Sequence, residues 1–276
     1  MIATASLLML TSGAAHAVVN GVLKSGGDKM SSRALIDGFA ALFMVPLLFI
    51  VPSPGPAWPW LFGSFFIHLA YMICLVNAFE AADMSAVYPV MRGSAPVIAA
   101  IVSVTWLGDP ISLAVGSGVA LVSLGTLMVA WWNSPSPRSL AWALATGATI
   151  ATYTVVDAAG ARAAPDALSY ISWVFAMIGF GIGGLFALWR GPRFLIEARS
   201  QWKPGLAAGL LSIVTYGLAL WAYRLGDVPR LAALRESSIL FGVAIAYFWL
   251  REPVGKARLA GAALIAAGSV VLLALR

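Results

Sequence analysis

Residues 105–132, TWLGDPISLAVGSGVALVSLGTLMVAWW, and residues 248–275, FWLREPVGKARLAGAALIAAGSVVLLAL, are two versions of one segment. At an offset of 143 they match Trp106 with Trp249, Leu107 with Leu250, Pro110 with Pro253, Ala114 with Ala257, Gly118 with Gly261, Ala120 with Ala263, Leu121 with Leu264 and Gly125 with Gly268, eight identities in 28. The register also runs backward, setting Asp109 on Glu252, Ser94 on Ser237 and Arg92 on Arg235. Chance likeness between helices rich in Ala, Gly and Leu does not account for a shared arginine inside an apolar run, or for a shared Trp-Leu-x-[Asp/Glu]-Pro. A second alignment, at an offset of 137, lays residues 14–20, AAHAVVN, on residues 151–157, ATYTVVD, so that His16 meets Tyr153 and Asn20 meets Asp157. The chain reads as two copies of one unit, residues 1–135 and 136–276.

Composition names the solvent of that unit. Of 276 residues, 61% are hydrophobic and only 17 basic and 11 acidic residues are present, where a soluble chain of this length carries roughly 69 charges. Apolar runs long enough to cross ~30 Å of hydrocarbon fall at about 3–23, 33–51, 58–80, 84–107, 111–132, 139–161, 168–189, 204–224, 229–250 and 256–275, with Pro- and Gly-rich punctuation such as Pro52-Ser53-Pro54-Gly55-Pro56 between them. Lipid offers the backbone no hydrogen-bond partner and no barrel alternation is present, so each run is expected to be a helix. Five helices per copy is an odd number, so the second copy enters the membrane in the opposite sense. The expected fold is an all-α membrane protein with ten transmembrane helices in two inverted five-helix repeats, its site near the midplane between the halves.

Charge and cysteine content exclude other classes. The lone Cys74 leaves no internal disulfide and no cysteine metal cluster. A net charge of +6 does not mark a nucleic-acid binder here, because the basic residues lie between apolar runs and not on one patch. They orient the chain instead: the loops after the first, fifth, seventh and ninth runs hold eleven Lys and Arg, against Arg162, Arg224, Arg230 and Arg276 on the other side. The positive-inside rule then places both termini outside the cytoplasm. Ala15-His16-Ala17 resembles a signal cleavage site, but no basic segment precedes it, and we read Met1 onward as a retained first helix.

Polar residues inside the runs carry the functional expectation, since each is costly unless it pairs or lines a wet cavity. His16 and Asn20 lie one helical turn apart on one face, as do Tyr153 and Asp157, so the copies present matching polar pairs to a central cavity. Arg92 and Arg235 sit about 12 Å and 9 Å into their helices. Coming from opposite faces they could clamp a carboxylate with forked guanidinium geometry, or be neutralised internally by Glu236, Glu80 or Asp157. Glu236, about 100° around the helix from Arg235, should face another neighbour. A buried carboxylate, or His16, is a candidate carrier of a coupling proton. Tyr71, Tyr88, Trp173, Tyr216, Trp221 and Tyr223 could give a stacking surface. His68, alone on an apolar helix, reads as a packing residue. Gly179 to Gly184 contains a GxxxG spacing that implies close helix packing, within the chain or between protomers.

The ten-helix, five-plus-five plan resembles the drug/metabolite transporter superfamily, and specifically its EamA-like permeases. The resemblance rests on His16-Ala17-Val18-Val19-Asn20 with Lys24, Tyr88-Pro89-Val90-Met91-Arg92-Gly93, Tyr153-Thr154-Val155-Val156-Asp157 with Arg162, Ala233-Leu234-Arg235-Glu236-Ser237-Ser238, and the repeated Trp-Leu-x-[Asp/Glu]-Pro. It implies a secondary permease, often an exporter, of small organic molecules in a plasma (inner) membrane, with no nucleotide or metal cofactor. The expected partners are a small-molecule substrate, the lipid bilayer, a coupling proton and a second copy of the chain, with no nucleic acid. The expected substrate-binding set is His16, Asn20, Tyr88, Arg92, Tyr153, Asp157, Arg235 and Glu236. Mixed charge favours a zwitterion or organic anion such as an amino acid. A cationic or aromatic drug-like substrate, and a receptor or scaffold without transport, are the alternatives. An enzyme is not expected, because neither H-E-x-x-H nor G-x-S-x-G occurs and only two histidines are present.

Overall fold

The structure is a computed structural model that describes residues 2–24, 29–82, 84–129, 136–248 and 255–274. Among these its regular structure is all helical, without a strand. The helices are α1 (Ile2–Lys24), α2 (Lys29–Leu48), α3 (Trp58–Ala81), α4 (Met84–Val102), α5 (Leu113–Val129), α6 (Pro137–Ala163), α7 (Ala167–Ala176), α8 (Gly184–Arg190), α9 (Pro192–Leu225), α10 (Val228–Arg235), α11 (Ser238–Phe248) and α12 (Lys256–Ala274). A π-helical turn, Ser103–Leu107, extends α4, and another, Met177–Gly183, joins α7 to α8 in one continuous rod. Seven of the described helical stretches are long and apolar enough to cross a membrane. The exposed side chains include Phe66, Ile101, Leu124 and Leu188, a surface that suits hydrocarbon and not water.

Three elements depart from the apolar runs. The second helix starts at Lys29 and not at 33, which takes Arg33 into the helix, where it pairs with Asp37 one turn on at 2.8 Å. The eighth run extends backward to Pro192, giving a 34-residue helix of about 51 Å; Gly191 (φ +54°) permits the preceding turn and Pro192 suits the first helical position. The run at 229–250 is not one helix. It breaks at Glu236–Ser237, where Glu236 N–H and Ser237 N–H donate to Ala233 and Leu234 three residues back, at 3.0 and 3.1 Å. The backbone of α1 crosses this break: a Cβ on Gly13 would stand 3.2 Å from Ser237 Oγ and 3.3 Å from Ser238 N.

Glycine brings the helices together elsewhere too. A Cβ on Gly118 would meet Leu272 and stand 3.2 Å from Gly268 O; one on Gly125 would stand 2.6 Å from Gly261 O; one on Gly268 would stand 2.8 Å from Gly118 O. Helices α5 and α12 thus touch backbone to backbone in antiparallel sense, which small residues allow in a membrane. The GxxxG spacing is spent inside the chain, since Gly179 abuts Asp37 O and Ala41 of α2, and Gly183 faces Ala34 and Asp37.

At one end of the bundle polar groups tie the connections together. Arg162, in the last turn of α6, grips Asp109 with two nitrogens (2.8 and 3.1 Å) and donates to Tyr223 O (3.1 Å) and Gly226 O (2.9 Å). Asp109 also accepts from Ser103 Oγ (2.9 Å) and from Val228 N–H (3.0 Å) at the start of α10. Arg224 donates to Ala161, Ala164 and Pro165 carbonyls. Arg162 and Arg224, counted above as loop charges, are therefore structural ties.

Candidate functional site

Four helices converge on a pocket. Helix α4 supplies Arg92 and Ala99, α6 supplies Thr154, α9 supplies Tyr223, and the end of α10 supplies Arg235 and Glu236. Arg92 Nε lies 3.0 Å from Glu236 Oε2, with both side chains buried, and Arg92 reaches Ser238 Oγ at 3.4 Å. Arg235 is equally buried but has no carboxylate partner among the described residues, and its Nε makes no hydrogen bond. Its guanidinium rests instead over the ring of Tyr216, 5.3 Å from the centroid, an arrangement worth about 2 kcal/mol when desolvated. The two arginines thus have different roles. Of the two readings open in the sequence, a symmetric clamp or neutralisation within the protein, the geometry gives Arg92 the second, because a buried guanidinium beside a buried carboxylate pairs with it.

Tyr216 leads to a second polar cluster beside the pocket. Asp157 is fully buried and accepts from Tyr170 Oη at 2.8 Å and from Tyr216 Oη. Tyr153 stacks on His68 with ring centroids 4.3 Å apart and planes at 26°, and meets Tyr71 and Tyr216 edge-on at 5.6 and 6.3 Å. His68 is anchored by its own helix, Nδ1 lying 2.9 Å from Ser64 O. Arg33 and Asp37 stand near this cluster, the charge of Arg33 acting on Tyr71 and Tyr153.

The structure therefore brings Arg92, Arg235 and Glu236 into one pocket and places Tyr153 and Asp157 in the adjoining aromatic cluster. From α6 it is Ile150, Ala151 and Thr154 that line the pocket. His16 is half-buried and feels the charges of Arg92, Arg235 and Arg33. Tyr88 is half-buried beside Arg92 and Tyr71. The side chains of Asn20 and Lys24, and residues 249–254 with the second Trp-Leu-x-[Asp/Glu]-Pro, lie outside the described residues. Trp221 is 42% exposed, away from any stacking surface, and Trp173 packs on Trp58 at 4.8 Å. His68, Tyr170 and the Arg33–Asp37 pair were not expected at the site. Opposite charges four apart at 33 and 37 were a usable signal, whereas nothing local announced Tyr170. No group of three His, Cys, Asp or Glu able to hold a metal occurs among the described residues.

Comparison with known proteins completes the picture. A search of curated proteins finds no match. A solved crystal structure, described only as that of a protein, superposes with a TM-score of 0.75 at 18% identity, covering 99% of either chain, which shows a shared fold. The EamA-like transporter family profile matches residues 137–274, half of the chain. This membrane protein belongs to the EamA-like transporter family, within the drug/metabolite transporter superfamily.

Proposed function

We propose that this protein is a secondary transporter of a small organic anion or zwitterion, such as an amino acid, working by alternating access between two inverted five-helix halves, residues 1–135 and 136–276. The inverted plan draws support from the α5–α12 contacts: Gly118 meets Gly268 and Gly125 meets Gly261, so residues equivalent under the 143 offset exchange places across the seam. The cation asymmetry of the loops supports both termini lying outside the cytoplasm, and the membrane we assign is the plasma (inner) membrane.

Arg235 carries the substrate assignment. It is a buried cation that makes no ion pair among the described residues, at a pocket lined from both of the proposed halves. Such a group is expensive unless something anionic visits it. Glu236 is engaged by Arg92, and both oxygens of Asp157 by tyrosines, so a purely cationic substrate finds no unengaged carboxylate in this cluster. Asp157 and His16 are the groups we assign to a coupling proton. The test is uptake of labelled amino acids and organic acids into proteoliposomes containing this protein alone, with and without a proton gradient. For a transported carboxylate, Arg235→Gln should weaken apparent affinity by about ten- to 150-fold, the equivalent of a charge-assisted hydrogen bond of roughly 1.5 to 3 kcal/mol. Transport of amines and not acids, or an unaltered affinity in correctly folded Arg235→Gln, would overturn the assignment.

A further inference from the structure

We propose that Asp109 and Arg162 form a latch that closes the pocket toward the end of the bundle where α4, α6 and α9 finish, and that entry from that end requires the pair to part. This rests on the reading of the pocket as part of a transport path.

The latch joins the halves. Asp109 belongs to the connection after α4, in the first half, while both its guanidinium and its main-chain donor come from the second, from α6 and the start of α10. Every strand of the knot leads to the pocket. Ala99 lies ten residues before Asp109, Thr154 eight before Arg162, and Arg235 seven beyond Val228, which in helical geometry puts the latch about 10 to 15 Å from the pocket along each of α4, α6 and α10. Tyr223 belongs to both: its carbonyl accepts from Arg162 while its side chain lines the pocket.

Opening this end means separating α10 from α4 and α6, because these helices form the pocket wall on that side. The connection from α9 to α10 is only Gly226 and Asp227, so α10 cannot swing out without drawing Val228 N–H off Asp109. Gly226, whose carbonyl Arg162 holds, would move with it. The pair is also suited to reversible use. Asp109 is 8% exposed but the Arg162 side chain is 29% exposed, so water can take over the guanidinium as the bonds break, while the carboxylate keeps the bond from Ser103 Oγ and is hydrated by the water that enters from that end. A latch built only of packed apolar groups would lack this directional release. The repeated Trp-Leu-x-[Asp/Glu]-Pro gains a purpose here: its acidic residue in the first copy is the receiving half of the clasp, and its proline follows as an end to helical structure.

The experiment needs no knowledge of the substrate. In a Cys74→Ser background, the thiol introduced at the pocket by Thr154→Cys is exposed to a membrane-impermeant maleimide from one side of oriented vesicles at a time. With the latch intact, labelling from the latch end should be slow. Asp109→Asn, which keeps the shape and an acceptor for Val228 but loses the ion pair, should raise that rate at least tenfold and lower the rate from the opposite end; Arg162→Lys, which keeps charge but loses the fork, should do so less. The reciprocal fall is the mark of a population shift between two states. Equal acceleration from both ends would mean general loosening and would overturn the latch. So would unchanged rates in both variants, with residue 154 still reachable from the opposite end, which would leave the pocket reading in place. A thiol at 154 unreachable from either end would remove the pocket from any path, and the latch with it.

Discussion

Replacing Arg92 by glutamine separates a structural arginine from a binding one. In the structure its Nε lies 3.0 Å from Glu236 Oε2, with side-chain exposures of 7% and 4%. Removing one partner of a buried pair leaves an uncompensated charge, at a cost of about 3 to 5 kcal/mol. Arg235 acts electrostatically on the same carboxylate, which places the expected loss for Arg92→Gln near 3 kcal/mol, the lower limit of that range. At about 2 to 4 °C per kcal/mol, the midpoint of thermal unfolding in detergent should fall by roughly 6 to 12 °C. Glu236→Gln alone leaves a second buried arginine without a carboxylate and should cost a similar amount. The double replacement by two glutamines removes both charges and should cost no more than either single one, about 3 kcal/mol where additive losses would give about 6, a coupling of about 3 kcal/mol in the double-mutant cycle. Fluorescence-detected gel filtration after heating reads all four proteins. Additive losses in the double variant would show that the pair is not what holds α4 to the α10–α11 break, and would return Arg92 to the list of binding groups.

Three other outcomes are expected. Gly125→Ala puts a methyl 2.6 Å from Gly261 O, whereas Gly116→Ala in the same helix meets nothing nearer than 4.0 Å; the first should lose about 1 to 2 kcal/mol and the second gain up to ~1 kcal/mol, so midpoints moving in the same direction would deny the seam. Burial raises the Asp109 carboxyl, but Arg162, the Val228 N–H and Ser103 together hold it below the usual carboxylate range. A depressed folded value means that this stabilisation is complete above the ordinary carboxylate pKa and drains away as pH falls through the folded one; thermal midpoints taken from pH 6 down to pH 3 should drop more for the parent than for Asp109→Asn, and parallel curves would contradict this. A thiol added at either terminus should react with an impermeant reagent on intact cells, and protection would reverse the orientation.

Hydrocarbon thickness made much of the fold legible. The run at 58–80 is met by α3 at Trp58–Ala81, and that at 139–161 by α6 at Pro137–Ala163, because one long apolar stretch has only one satisfied backbone in lipid. What sequence could not give depended on neighbours. The break at Glu236–Ser237 lies under Gly13 of α1, more than 200 residues away, and nothing in an apolar run foretells a crossing partner. Asp157 and Arg92 were marked as costly by their setting, and Glu236 was one of three carboxylates that could neutralise Arg92; that it does so, and that Tyr170 and Tyr216 serve Asp157, follows only from how α4, α7, α9 and α10 meet. His68 illustrates the limit: one histidine on an apolar helix is silent until its face is known, and that face turns out to carry Tyr153.

The seam between α5 and α12 has the logic of a homodimer interface folded into one polypeptide. In a two-fold contact between identical subunits, residue i of one meets j of the other and j meets i; here Gly118 and Gly125 meet the equivalents of each other, Gly268 and Gly261. Each half therefore carries a surface complementary to its own copy. On the inverted-repeat reading proposed above, a five-helix unit bearing that surface has the means to meet a second copy inserted the other way up. One chain holding both copies would then fix the stoichiometry at one of each orientation. It would also free the copies from identity away from the seam, as Asp157 in one and Asn20 in the other illustrate.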